Sequence, residues 1–190
     1  TEEFLNRLTK LEKICDHFHL SLQSGCDETL KRMNRRYTTE EFKKCTDLLK
    51  KAYPNVSLTT DIIVGFPGET EEEFNKTYKF LKDINFYQMH IFKYSPRKGT
   101  KAAVMKEQID GSIKEERSSK LIDLSNKNEI KHNEKEIGKE LEVLWEEQDG
   151  EYIKGHTTNY KVVKIPYKNL ENTITKVKIK KVENLELIGK

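Results

Sequence analysis

Polar side chains follow short apolar stretches, at positions where buried strands would end. Gln23 and Ser24 follow the first stretch, Asp61 lies in the second, and Arg35 comes twelve residues after Gln23. An amide or a carboxylate binds ligand hydroxyls, and the guanidinium fork binds a carboxylate. The alternative is that Gln23 caps a turn, Arg35 is a solvated charge and Asp61 pairs with a neighbouring cation.

The apolar stretches predict three buried β-strands, at residues 18–22, 56–64 and 88–94. Segments with helical periodicity follow or separate them, at residues 27–33, 39–51 and 71–84. This alternation predicts right-handed crossovers and a parallel sheet. We therefore expect an α/β unit whose functional groups lie in the loops after the strands.

From Ser112 the pattern changes to one long helix, which Gly138 would end. Short alternating strands follow, at residues 140–145, 152–157, 160–165, 173–181 and 185–187. About five short strands in roughly 50 residues favour a small barrel. The expected organisation is an α/β unit (1–111), a linker helix (112–137) and an all-β barrel (138–190).

The net charge is unevenly distributed along the chain. The total is +3, but residues 152–190 hold nine Lys against three Glu, which leaves −3 on the first 151 residues. Cations bind phosphates and an exposed ring stacks on an unpaired base, so this basic barrel is predicted to bind RNA. The candidates share one hairpin: Lys154, His156, Asn159, Tyr160 and Lys161. Alternatively, Tyr160 fills the barrel and the lysines only solubilise it.

The composition excludes several classes of protein. Charged and hydrophobic residues each make up 35% of the chain, and no apolar run approaches the ~18 residues of a membrane span. The three cysteines, Cys15, Cys26 and Cys45, are too far apart in sequence for a compact metal motif. We expect a reduced, cytoplasmic protein. The helical pattern already present at Thr1 suggests a piece of a longer chain.

Four stretches together resemble the radical S-adenosylmethionine (SAM) enzymes, and among them the tRNA methylthiotransferases. They are His19-Leu20-Ser21-Leu22-Gln23-Ser24-Gly25, residues 30–38, residues 60–70, and residues 94–97 with Gly99-Thr100. Residues 36–38 and 155–160 look most like the branch that acts on N6-threonylcarbamoyladenosine. The resemblance implies the C-terminal portion of a partial TIM-type barrel, with three parallel strand–helix units, followed by a TRAM barrel that binds RNA.

The resemblance also implies an activity. The complete enzyme would methylthiolate C2 of N6-threonylcarbamoyladenosine at position 37 of tRNA, with SAM and [4Fe–4S] clusters as cofactors and the anticodon loop as partner. The sequence lacks the CxxxCxxC loop that holds the radical cluster in this family. We therefore expect a fragment that is inactive without the missing N-terminal half. The alternatives are a target such as isopentenyladenosine or a ribosomal protein, or a non-catalytic RNA-binding protein.

The resemblance assigns residues to ligands as well. It implies SAM binding by Gln23, Ser24, Arg35 and Asp61, and tRNA contact by Arg97. No residue of the chain is predicted to be catalytic or to bind a metal. The histidines in or beside the strands, His17, His19 and His90, are expected to pack rather than to act as ligands.

Overall fold

The computed structural model describes residues 1–190 as an α/β unit followed by a closed β-barrel. The α/β unit holds a parallel sheet in the order β1-β2-β3. Its elements are α1 (Glu2–Leu8), β1 (His17–His19), α2 (Asp27–Arg32), α3 (Thr39–Ala52), β2 (Ser57–Val64), α4 (Glu71–Ile84), β3 (Gln88–Lys93), a 3-10 turn (Lys101–Val104) and α5 (Gly111–Glu134). The predicted α/β alternation is confirmed, although β1 is shorter than expected.

Alternate residues of β2 face opposite sides of the sheet, as in any strand. Leu58, Ile62 and Val64 belong to the main hydrophobic core, which also contains Phe74 and Leu81 of α4. The side chains between them point the other way, to a face that we call the open face. It carries polar side chains from all three strands: His17, His19, Thr59, Asp61 and His90.

Two helices begin with capping boxes, which made their starts recognisable in the sequence. Thr38 Oγ1 accepts from the Glu41 N–H at 3.2 Å, and the Glu41 carboxylate accepts from the Thr38 N–H at 2.8 Å. Thr70 and Glu73 repeat the arrangement at α4. Such caps satisfy N–H groups that have no partner within the helix.

Helix α5 packs on the sheet, whereas the sequence predicted a linker. Leu121 and Leu124 belong to the same core as β2 and α4. The Ser125 hydroxyl accepts from the Met89 N–H of β3 at 2.9 Å. The apolar stripe of α5 is therefore buried against the sheet, and the helix completes the α/β unit. No helix combines the length and the apolar character that crossing a membrane requires.

The C-terminal part of the chain forms a closed barrel in the order β4-β5-β6-β8-β7. Its strands are β4 (Glu140–Asp149), β5 (Tyr152–Thr157), β6 (Val162–Pro166), β7 (Ile174–Glu183) and β8 (Glu186–Gly189). The interior is apolar around Trp145, the only tryptophan, whose indole N–H donates to Thr175 Oγ1 at 2.7 Å. A Cβ at Gly155 would overlap the Leu144 carbonyl, so glycine allows β4 and β5 to approach.

Candidate functional site

The chain after β1 returns to the sheet edge at Gln23. Its N–H donates to the Asp61 carbonyl, and its carbonyl accepts from the Ile63 N–H. The residue has a φ of 72°, a conformation that costs roughly 1–3 kcal/mol in a residue with a Cβ. These contacts involve only the backbone of Gln23, and the residue is buried.

Arg35 lies close to the same strand end because Tyr37 fixes its segment there. The Tyr37 hydroxyl donates to the carbonyls of Ser21 at 3.0 Å and Leu22 at 2.8 Å. Burial raises the pKa of Tyr37, which keeps this donor protonated. The Arg35 side chain is exposed. Tyr37 is therefore a positioning residue for this segment.

The Ser24 hydroxyl makes hydrogen bonds within the protein. Its hydroxyl lies 3.1 Å from Thr77 Oγ1 of α4 and accepts from the Cys26 N–H at 3.3 Å. The side chain is buried, so its polar atom is used to hold the turn against α4. SAM contact by Ser24 stays a prediction.

The glycine turn after β2 is held by a buried ion pair. Arg117 Nη1 of α5 lies 2.7 Å from Glu69 Oε1, and the same oxygen accepts from the Gly65 N–H at 2.9 Å. Burial raises the pKa of Glu69, although the Gly65 N–H and Arg117 act in the opposite direction. Gly65 and Gly68 have φ values of +70° and +78°, which favour glycine. The turn is thus rigid.

Asp61 lies on the open face among partners that the sequence did not predict. Its Oδ2 lies 3.1 Å from His19 Nε2 and accepts from the Ser21 hydroxyl at 3.0 Å. The Thr59 hydroxyl lies 3.0 Å from both His17 Nε2 and His19 Nδ1. Burial, together with the neighbouring His19 and His90, lowers the pKa of His17. The expectation that these histidines only pack is therefore incomplete.

The missed signal was the alternation of side chains along the strands. His17 and His19 are two residues apart, as are Thr59 and Asp61, so each pair shares a face of its strand. The parallel register then places His19 beside Thr59, and Asp61 beside His90.

The three cysteines do not form a metal site. Cys15 and Cys45 are exposed, and Cys26 is buried, with its thiol donating to Glu28 Oε2 at 2.9 Å. Burial and this hydrogen bond raise the pKa of Cys26, which disfavours the thiolate that iron binding needs. The one group of three or more close potential metal ligands in the chain is His19, Asp61 and His90.

Asn159 and Lys161, predicted to contact RNA, are buried where the barrel meets the α/β unit. Asn159 Nδ2 donates to the Asn55 carbonyl at 3.1 Å. Lys161 Nζ donates to Glu136 Oε1 at 2.7 Å and to the His132 carbonyl at 2.8 Å. Burial lowers the pKa of Lys161, although Glu136 acts in the opposite direction. Both side chains thus join the two units and do not face solvent.

Tyr160 connects the barrel with the open face. Its ring is stacked between His17 and His156, with 4.6 Å between centroids on each side. His156 also pairs with Glu146. Both faces of the Tyr160 ring are therefore covered, so a base would have to displace one histidine in order to stack on it.

The other residues predicted to contact RNA differ in their exposure and in their ion pairs. Lys154 Nζ lies 2.8 Å from Asp149 and 3.8 Å from Glu186. Arg97 is exposed in the loop after β3. Three lysines of β7 are exposed on one strand face: Lys176, Lys178 and Lys180. RNA contact by Arg97, Lys154, His156 and Tyr160 stays a prediction.

Comparisons with known proteins agree with this architecture. Residues 1–81 match the family model described as the Radical SAM superfamily. The coproporphyrinogen III oxidase HemN of Escherichia coli, a radical SAM enzyme, shares the fold with a TM-score of 0.57 and 17% identity, over 67% of this chain and 30% of that chain.

Curated relatives are closer in sequence. The threonylcarbamoyladenosine tRNA methylthiotransferase MtaB of Bacillus subtilis is 42% identical over 182 residues, which are 93% of this chain and 40% of that protein. The tRNA-2-methylthio-N(6)-dimethylallyladenosine synthase of Alkaliphilus oremlandii is 42% identical over 166 residues, which are 86% of this chain and 35% of that protein. The chain thus spans less than half the length of these relatives. Over most of its length the chain is similar to these methylthio-transferring tRNA enzymes, and residues 1–81 match the Radical SAM superfamily.

Proposed function

We propose that the chain forms the SAM- and tRNA-binding part of a methylthiotransferase that modifies C2 of N6-threonylcarbamoyladenosine at position 37 of tRNA. The observation that carries this proposal is the 42% identity to MtaB over 93% of the chain, barrel included. An enzyme named for dimethylallyladenosine is equally identical over 86% of the chain. Identity therefore supports the reaction, and another observation must select the substrate.

The polarity of the open face favours the threonylcarbamoyl substrate. Above the buried Thr59, this side of the sheet presents imidazole, hydroxyl and carboxylate groups from His19, Ser21, Asp61 and His90. A dimethylallyl group has no polar atom, so it offers no hydrogen bond to polar atoms of this face that lie outside the network of His19, Ser21, Thr59 and Asp61, such as the ring nitrogens of His90, and burying one of these unpaired costs about 1–3 kcal/mol. A threonylcarbamoyl group carries a hydroxyl, amide groups and a carboxylate. It therefore suits this face better.

Gln23 and Arg35 fit a bound SAM. The Gln23 backbone pairs with that of Asp61 at the sheet edge, and Tyr37 keeps the Arg35 segment near Leu22. We propose that Gln23 binds the ribose hydroxyls and Arg35 the methionine carboxylate. When bound, SAM supplies the radical and the methyl group. Asp61 is assigned to the ribose or the ammonium group with less geometric support, because His19 and Ser21 already occupy its carboxylate.

The cysteines of this chain do not fit a [4Fe–4S] cluster, because Cys26 is buried and hydrogen-bonded whereas Cys15 and Cys45 are exposed. We therefore derive no step through a cluster from these residues. The proposal is that cluster ligands lie in a part of the protein outside these 190 residues, consistent with the 40% of MtaB that the chain spans.

The barrel is proposed to be a TRAM module that binds the anticodon arm of tRNA. Its β7 strand presents Lys176, Lys178 and Lys180 on one exposed face, where phosphates have access. The contacts of Lys161 and Asn159 with the α/β unit hold this barrel in place beside the sheet.

Nucleoside mass spectrometry tests the proposed reaction. The complete gene product that contains this chain is expressed in a strain that lacks methylthio modification of both adenosines, and its tRNA is digested. We expect 2-methylthio-N6-threonylcarbamoyladenosine to accumulate. The R35Q variant is expected to lose the product, whereas R36Q, which changes the adjacent exposed arginine, is expected to keep it. If no methylthio group is found on either modified adenosine, the proposal is contradicted.

The second candidate function, a non-catalytic RNA-binding protein, follows from the charged barrel alone. It predicts tRNA binding without SAM binding. Isothermal titration calorimetry of the complete protein with SAM separates the two, because the enzyme must bind the cofactor with an affinity that R35Q lowers and R36Q does not.

A further inference from the structure

Three side chains from three adjacent strands converge on the open face. His19 of β1, Asp61 of β2 and His90 of β3 each place one potential ligand atom within 4.8 Å of the others. Two imidazoles and a carboxylate are a common ligand set for Zn²⁺, Co²⁺ and Fe²⁺. We propose that this face binds one divalent transition-metal ion through His19, Asp61 and His90. An ion bound there would use the Asp61 carboxylate that the proposed function assigns to SAM, so the two are alternatives for this carboxylate, and the metal site is tested with the metal ion alone.

The spacing of the three side chains suits such an ion. Ligand atoms of a tetrahedral zinc ion at 2.0–2.1 Å lie about 3.3 Å from one another. His19 Nε2 and Asp61 Oδ2 are already 3.1 Å apart. His90 is the register partner of Asp61 on the neighbouring strand, and its ring is exposed. The His90 ligand atom lies within 4.8 Å of the other two, so the proposed ion requires a shift of this exposed side chain and none of the sheet.

Thr59 supplies the support that a histidine ligand needs. A metal-bound His donates its other ring N–H to an acceptor, which fixes the tautomer. The Thr59 hydroxyl lies 3.0 Å from His19 Nδ1, so it accepts from this nitrogen when Nε2 faces an ion. The hydroxyl hydrogen then points to His17 Nε2, also at 3.0 Å.

The same hydrogen bonds reverse without an ion. His19 Nε2–H then donates to Asp61, the Thr59 hydroxyl donates to His19 Nδ1, and His17 Nε2–H donates to Thr59. Both states satisfy every group because a hydroxyl is donor and acceptor at once. The hydrogen bonds of His17, His19 and Thr59 are therefore compatible with both the ion-bound and the ion-free site.

The three ligands leave part of the coordination sphere open. They come from one face of the sheet. The side chains of His19 and Asp61 are 37% and 27% exposed to solvent. The Ser21 hydroxyl donates to Asp61 Oδ2 at 3.0 Å and orients the carboxylate. A water molecule or another oxygen ligand would complete the coordination, as in zinc sites with three protein ligands.

Cobalt titration tests the site directly. The chain carries Cys15→Ser and Cys45→Ser, which remove the exposed thiols that also bind metals, and is freed of metal with a chelator. Binding of Co²⁺ is followed by visible absorption and then reversed with Zn²⁺. We expect one ion per chain, loss of the absorption in H90Q and D61N, and about 10- to 100-fold weaker binding in T59V.

The matched control is H156Q. It removes the histidine of the other close, partly exposed histidine–carboxylate pair, His156 with Glu146. This variant is expected to bind Co²⁺ like the parent chain. Circular dichroism verifies that each variant is folded, and His90, an exposed side chain, is the least disruptive position to change. Absence of Co²⁺ binding by the parent chain, unchanged binding by folded H90Q, or loss of binding in H156Q would each overturn the proposal.

Discussion

Replacing Lys161 with methionine tests whether a buried ion pair joins the barrel to the α/β unit. Lys161 is 3% exposed, and its Nζ contacts both Glu136 and the His132 carbonyl near the end of α5. Methionine keeps most of the side-chain length and removes the charge. Glu136 then loses one of its two cationic partners, and the carbonyl loses its donor.

The expected cost follows from these contacts. Removing one partner of a buried ion pair typically costs about 3–5 kcal/mol. Lys139 Nζ lies 2.9 Å from Glu136 Oε2 and still partly neutralises the Glu136 charge in the variant. We therefore expect K161M to lower the free energy of unfolding by about 3 kcal/mol, the lower end of that range. Burial raises the pKa of Glu136, and at present Lys161 and Lys139 outweigh burial and hold it low.

Urea unfolding measures this cost with two probes. Fluorescence of Trp145, the only tryptophan, reports on the barrel, and circular dichroism reports on the helices. The matched control is K154M, for which we expect at most about 1 kcal/mol, because Lys154 is partly exposed and Lys164 also contacts Asp149 and Glu186.

Two results would refute the reasoning: K161M within about 1 kcal/mol of the parent chain, or an equal loss in K154M. Because Lys161 is buried, we expect it to make no contact with RNA. Folded K161M is therefore expected to bind tRNA with unchanged affinity, and a large loss of affinity would show that Lys161 faces the RNA.

Three further changes have defined outcomes. Burial raises the pKa of Glu129 to about 7, so folding favours its protonated form. The free energy of unfolding is therefore expected to fall as the pH rises from about 4.5 to about 7. Urea titrations at several pH values are expected to show that E129Q removes this pH dependence. Thermal unfolding of T70A is expected to show a loss of about 1 kcal/mol, because the cap of α4 is removed. Changing Lys176, Lys178 and Lys180 together to Gln is expected to lower the salt dependence of tRNA binding by up to about three in log–log slope, and an unchanged slope would place the RNA elsewhere.

Local signals explain why much of the fold could be predicted. The threonine–glutamate spacing at Thr38 and Thr70 marks two helix starts, and α4 was predicted with its observed bounds. Alternation of apolar residues identified the barrel strands, because a closed barrel buries every second side chain. These patterns depend on neighbours in sequence, so a single sequence reveals them.

The candidate site was harder to predict because its contacts are distant in sequence. The sequence predicted Lys161 to be a surface cation in a basic hairpin. In the structure it is buried and pairs with Glu136, which is 25 residues away in sequence. The resemblance implied that Ser24 contacts SAM, and the structure adds a hydrogen bond between its hydroxyl and that of Thr77. The open face needs the register of three strands, which places His90 beside Asp61 and which no local pattern encodes.

Competition between two RNA substrates tests the central claim most directly. The complete, purified protein receives SAM, a reductant and equal amounts of two anticodon stem-loops, one with N6-threonylcarbamoyladenosine and one with dimethylallyladenosine at position 37. Mass spectrometry then measures both methylthio products. The polar open face predicts that the threonylcarbamoyl product dominates. Dominance of the dimethylallyl product, or no methylthio product in either RNA, would contradict the account.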